Sequence, residues 1–223
     1  MLTRLLIAIN VVVYVWEVTT GDVNSTRSLI AHGALYGPAV SAGEWWRVVT
    51  GEFLHGGLLH IATNMFALYQ VGRFVELLYG RTRMGAIYAF GILGAGISVL
   101  WFNYAETTVG ASGAIFALFG ALLAAGLQLG ARGRSIVQQS AGIIILNLVL
   151  GFTVFQHISN AGHIGGLIAG FLLGYVLFLT IPRRVMAEHA MVATQPVPTD
   201  DGTVYEPPGY VDAQAHKPHD PNE

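Results

Sequence analysis

A chain of 223 residues that is 53% apolar and only 11% charged cannot clothe a water-facing surface, since a soluble domain carries about 25% charged residues. Its net charge of −2 argues against a nucleic-acid partner, and the absence of cysteine excludes disulfides, thiol nucleophiles and thiolate metal sites. The composition is that of an all-α polytopic membrane protein.

Six apolar segments are predicted, over 5–18, 58–79, 84–103, 112–129, 136–155 and 162–181. Each is near the ~20 residues a bilayer demands, the first being short. Arg4 ahead of an apolar run imitates a secretory signal, but no small-x-small cleavage site follows and Glu17 interrupts the run, so the segment reads as a retained span. The connector 19–55 contains Tyr36, Trp45, Trp46 and Phe53 beside Glu44 and Arg47. Aromatic residues with a cation suit the headgroup layer, so this loop is expected to fold onto or into the outer leaflet; a plain interfacial belt accounts for the tryptophans equally well.

In the second segment His60 and Asn64 lie one helical turn apart on one face. Polar groups within a span are functional candidates by default, though they also serve as glue between helices. Glu76 lies close to Arg73 and Arg81 and reads as a structural ion pair. The fourth segment opens in Val109-Gly110-Ala111-Ser112-Gly113-Ala114 and continues with Ala117, Ala121 and Ala125 on one face, while the sixth places Gly162, Gly166, Gly170 and Gly174 at every fourth residue. Such small-residue faces let helix backbones approach closely in lipid, so segments four and six are expected to touch, with a dimerising face as the competing reading. Beyond 184 the chain turns acidic and Pro-rich, which predicts a core over 1–184 and a disordered cytoplasmic tail over 185–223. The tail's Pro207-Pro208-Gly209-Tyr210 reads as a chance match to a proline-rich recognition motif.

Arg4, Arg73, Arg81, Arg83, Arg132, Arg134, Arg183 and Arg184 all fall on one side if the N-terminus is cytoplasmic, and the opposite short loops, 104–111 and 156–161, contain no Lys or Arg. That asymmetry predicts two cytoplasmic termini. Segments two, four and six then run inward, and His60, Asn64, Ser112 and His163 all sit near their outer ends. About eighteen residues give segment four a length of roughly 27 Å, short of a ~30 Å hydrocarbon core, so its start is expected to lie below a water-filled funnel.

A Gly-x-Ser-Gly at a helix start is by itself an ordinary packing pattern. The convergence of the other polar residues changes its reading. Ser112 is a poor nucleophile until a base takes its proton, and His163 is the titrating candidate for that role. His60, Asn64 and the Ser112 backbone N–H can donate to an oxyanion. No acid is placed to orient His163, so the arrangement would be a dyad, with Phe116, one turn after Ser112, stacking on the imidazole. Other intramembrane chemistries fail on content. There is no His-Glu-x-x-His, His55 and His60 are five apart and expected on different faces, and no span carries an aspartate. Neither a metal nor a cofactor is expected.

Taken together, Glu44-x-Trp46-Arg47, His55-x4-His60-x3-Asn64, Gly110-x-Ser112-Gly113 and His163-x2-Gly166-x3-Gly170 resemble the rhomboid family of intramembrane serine proteases, over about 4–184. The resemblance implies a six-transmembrane-helix bundle with a membrane-associated first outer loop that includes Trp46 and Arg47. It implies Ser112 as nucleophile, His163 as base, and His60 and Asn64 in the oxyanion hole. It further implies single-span membrane proteins as substrates, cut near the outer end of their span, and a bacterial plasma-membrane location. Substrates would enter sideways past segments two and five, with Phe152 and Phe155 as gate or subsite candidates. Two positions depart from the family pattern: Gly162 stands where alanine usually precedes the histidine, and Phe116 where tyrosine is common. One rival reading is a catalytically dead relative that binds transmembrane clients, although this chain keeps both serine and histidine. The other is a small transporter, which would show an inverted repeat or paired charges at depth. Accessibility labelling checks the topology: a cysteine introduced at Arg132 is expected to react only from the cytoplasmic side, and labelling from outside would overturn the inward course of segment four.

Overall fold

The computed structural model describes residues 1–153 and 159–181, with residues 197–198 and 204–205 beyond them. The first helix, α1 (Leu2–Thr20), is followed in the outer loop by α2 (Thr26–His32), a short strand β1 (Leu35–Tyr36), α3 (Gly37–Ser41), α4 (Arg47–Thr50) and a 3-10 turn, Gly51–Phe53. The second predicted segment is helical but not uniform: α5 (Leu58–Ala67) passes through a π-helical turn, Leu68–Gly72, into α6 (Arg73–Tyr79). Then come α7 (Arg81–Phe102), strand β2 (Thr107–Thr108), α8 (Ser112–Gln128), α9 (Arg134–Thr153) and α10 (Asn160–Leu179). By length and composition α1, α7 and α10 could each cross a membrane, and α8 is a shorter apolar helix.

The bundle is apolar on its outer surface as well as in its core, and α1 turns its polar side chains inward. On α1 the buried residues are Thr3, Asn10 and Glu17, one polar side chain every seventh position and so a single stripe, while Leu5, Val12 and Val15 face outward. Each inward polar group needs a partner at a depth where water cannot supply one. The Thr3 hydroxyl and the Leu2 and Thr3 amides donate to the Glu76 carboxylate at 2.7–3.0 Å, and the His55 amide donates to the Glu17 carboxylate at 3.1 Å. Glu76 thus caps the start of α1, with Arg81 3.7 Å away. Arg73, expected beside it, instead donates to the Tyr69 hydroxyl and lies over that ring.

The core is α8, enclosed by α7, α9 and α10. The expected contact of segments four and six is present, and it is made of backbone. A Cβ added at Gly166 would collide with the Gly113 carbonyl, one at Gly170 with the Ala117 backbone, and one at Gly174 would lie 2.7 Å from Ala121 Cα. The register therefore advances four residues per step on both helices. Deeper along the bundle the Tyr79 hydroxyl is shared between the carbonyls of Ala121 (2.8 Å) and Gly174 (3.2 Å), tying α6 to the same pair.

The chain divides into two compact units, Met1–Thr180 and Ile181–Glu223. Within the second, β3 (Val197–Pro198) and β4 (Val204–Tyr205) pair antiparallel. The expected boundary at 184, the rest of the tail and the Pro207-Pro208-Gly209-Tyr210 motif lie outside the described residues.

Gly170→Val tests the backbone contact. Overpacking of this kind typically costs about 1–3 kcal/mol, and thermal unfolding in detergent should show a lowered midpoint. Leu172→Val, at a position of the same helix that is 58% exposed, should leave it nearly unchanged.

Candidate active site

Ser112 is the first residue of α8 and His163 sits in the first turn of α10. The α10 start is closed by Ser159, whose hydroxyl accepts from the Gly162 amide at 3.1 Å, fixing the turn that presents His163. Because the two helices touch at Gly113 and Gly166, their first turns are held together. The Ser112 Oγ lies 2.8 Å from His163 Nε2. The Phe116 ring stacks on the imidazole, centroids 4.1 Å apart and planes 7° from parallel, as its position one turn after Ser112 predicts. His163 Nδ1 is buried and has no hydrogen-bond partner among the described residues.

His60 and Asn64 share a face of α5 and point toward the chain just before Ser112. Gly110 has φ +114°, and a Cβ there would lie 2.6 Å from His60 Nε2 and 3.4 Å from Asn64 Nδ2, so only a bare backbone fits. The Asn64 amide nitrogen is buried without a partner among the described residues, which leaves it a donor in waiting. A small cavity is lined by His60, Gly110, Ser112, His163 and Glu52, and Asn64 is not part of its lining. The expectation that His55 and His60 face apart fails: α5 starts only at Leu58, so His55 precedes the helix and its ring meets the His60 ring edge-on at 5.2 Å. Burial holds the His55 imidazole down to about 3. No group of three potential metal ligands occurs among the described residues.

The outer loop forms a roof that holds the Gly110 segment. Strand β1 pairs with β2 in the register Leu35–Thr108 and Tyr36–Thr107, and the Gly110 amide donates to the Gly51 carbonyl at 2.9 Å. Arg47, buried, donates to the Ile30 and Ala34 carbonyls at 2.7 and 3.0 Å and pairs with Glu44. Arg47 is thus a staple of the roof, while Trp46 is half exposed beside the outward-facing Trp45 and makes no part of the cavity.

Three contributors escaped the sequence reading: Glu17, Tyr79 and Glu52. Glu52 is buried against the start of α8, with Oε2 accepting from the Ala114 amide at 3.2 Å. Burial pushes its carboxyl up to about 8, the amide hydrogen bond offsetting part of that shift. The one available signal was an acid inside the apolar Gly51–Phe53 stretch. Beside the site, a groove of about 840 Å³ opens between α5–α6 and α9, lined by Phe66, Gln70, Phe74, Phe119, Gln139 and Ile143. Phe155 lies outside the described residues, as does the Phe152 side chain.

The Rhomboid domain family model matches residues 42–180. Among curated proteins the chain is similar to rhomboid protease GluP of Bacillus subtilis, 41% identical over 183 residues that cover 79% of this chain and 35% of that protein. It is also similar to RHOMBOID-like protein 5 of Arabidopsis thaliana (39% over 152 residues, 66% of this chain and 48% of the other). Rhomboid-like protease 2 of Toxoplasma gondii is 33% identical over 153 residues, 66% of this chain and 53% of that one. The chain spans between a third and about half of the length of these relatives.

The stacked ring makes a measurable prediction. An aromatic pair of this kind contributes about 0.5–1.5 kcal/mol, or roughly two- to tenfold in rate. Phe116→Leu should slow fluorophosphonate labelling of the protein by that factor, whereas Phe116→Tyr should leave the rate unchanged.

Proposed function

We propose, from the premise that this chain belongs to the rhomboid family and is an integral membrane protein, that it is an intramembrane serine endopeptidase acting through a Ser112–His163 dyad. The observation that carries the reading is the 2.8 Å contact between Ser112 Oγ and His163 Nε2, on an imidazole stacked against Phe116. His163 Nε2 takes the Ser112 proton as Oγ adds to the scissile carbonyl carbon. The carbonyl oxygen becomes an oxyanion, for which Asn64 Nδ2, His60 and the Ser112 amide at the positive end of α8 are the donors. Collapse expels the amine, protonated by His163, and leaves an acyl-serine. Water, deprotonated by the same histidine, then adds to the acyl carbon, and departure of Ser112 releases the carboxylate.

The substrates are single-span membrane proteins cut near the outer end of their span. A helical segment hides its carbonyls in its own hydrogen bonds, so a span that unwinds easily is the better substrate. The groove between α5–α6 and α9 supports sideways access, and its mixed lining of Phe66 and Phe74 with Gln70 and Gln139 suits a segment leaving lipid. Both termini are placed in the cytoplasm, in a bacterial plasma membrane.

Cleavage of a fluorescently labelled single-span substrate in liposomes tests the reading. Ser112→Ala and His163→Ala should each lower turnover by more than about 10⁴-fold, because nucleophile and base act as one unit. His60→Ala and Asn64→Ala should retain activity reduced by about 10²–10³, or roughly 3–4 kcal/mol for one lost oxyanion donor. A folded wild type that neither cleaves nor reacts with a fluorophosphonate would replace this reading with that of a client-binding relative.

A further inference from the structure

A helix begins with amide N–H groups that its own carbonyls cannot satisfy. At the start of α8 the preceding residue is Ala111, which has no acceptor, and its backbone (φ −67°, ψ 0°) is not the extended form from which a capping side chain folds back. The acceptor comes instead from 62 residues earlier: Glu52 Oε2 takes the Ala114 amide at 3.2 Å. Gly113 makes the room, since a Cβ there would lie 2.6 Å from Glu52 Oε1 and 2.5 Å from Ala95 Cβ. Glu52 also lines the small cavity with Ser112, His60 and His163, and neither the dyad nor its oxyanion donors use it.

We propose that Glu52 is a positioning residue for Ser112: its carboxyl caps α8 from outside the helix at Ala114 and leaves the Ser112 amide free for the oxyanion. The inference rests on the protease reading. The cap fixes the rotation of the first turn, and therefore the direction in which Ser112 Oγ points toward His163. It also divides the donors of that turn, because an acceptor on residue 111 would compete nearer the reacting carbonyl. A carboxyl held up to about 8 by burial is neutral at pH 7, so it accepts this hydrogen bond without setting a negative charge beside the developing oxyanion.

The experiment uses the purified full chain in liposomes, with fluorophosphonate labelling rate, kcat and KM for a single-span substrate, and thermal midpoint measured together. Glu52→Gln keeps the volume and the acceptor and should stay within about threefold of wild type in labelling rate and kcat. Glu52→Leu removes the acceptor and should lose at least about tenfold in both, with KM within about twofold because the groove is untouched. A folded Glu52→Leu that labels at the wild-type rate overturns the proposal, and so does a tenfold slower Glu52→Gln with a wild-type midpoint. If the leucine variant does not fold, Glu52→Gln decides alone by the same criterion. A wild type that does not label removes the protease reading and this inference with it, whereas a labelled wild type with an unaffected leucine variant removes only this one.

Discussion

The site hangs on a contact between two backbones. In lipid no hydrophobic force drives helices together, so close approach must be won through dispersion and geometry, and both require the absence of side chains. Gly166 against Gly113 and Gly170 against Ala117 supply that absence, and the Tyr79 hydroxyl fastens the same two helices further along. Ser112 lies one residue before this contact on α8, and His163 three residues before it on α10. Their separation is therefore inherited from the glycine register, and a shift of about 1 Å in such a geometry can cost 10²-fold in rate.

Around that contact several inward polar groups find partners across the fold. Thr3 meets Glu76, Glu17 meets the His55 amide, and Arg47 meets two carbonyls of the outer loop. These bonds fasten α1, α6 and the roof to the bundle, and the β1–β2 pairing carries the same order to Gly110 and so to the residue pair behind it. The groups left without partners among the described residues include Asn64 Nδ2, near Gly110, and His163 Nδ1, on the imidazole that meets Ser112. Unsatisfied polar groups are costly at depth, so each such atom marks a place where packing has been given up for something else.

The features legible in the sequence are those with a helical period. His60 and Asn64 are four apart, Phe116 is four beyond Ser112, and the glycines of α10 repeat every fourth residue, so face and register follow from arithmetic. The features that were not legible join residues with no period between them. Glu52 reaches Ala114 across 62 residues, and Glu17 reaches His55 across 38. In the sequence each is a single acid in apolar surroundings. His55 differs for another reason: helical spacing does not apply to it, because α5 begins at Leu58, where the second segment is expected to start, and His55 lies ahead of Gly56 and Gly57 in the loop. The stripe of Thr3, Asn10 and Glu17 was periodic, but three residues seven apart hardly alter the composition of a span.

The enclosure of α8 governs where this chain can drift. Of its residues only Leu127 is exposed, so nearly every position is bounded by another backbone or by a buried side chain. By contrast Val12, Ile97, Trp101, Leu172 and Leu179 look outward. At those positions selection sees only apolarity, and one hydrophobic residue serves as well as another. Descendants of this sequence should therefore diverge fastest along its lipid-facing stripes, while the alanines and glycines of its innermost helix stand nearly still. Identity between two such proteins, averaged over the whole chain, then understates how alike their centres are.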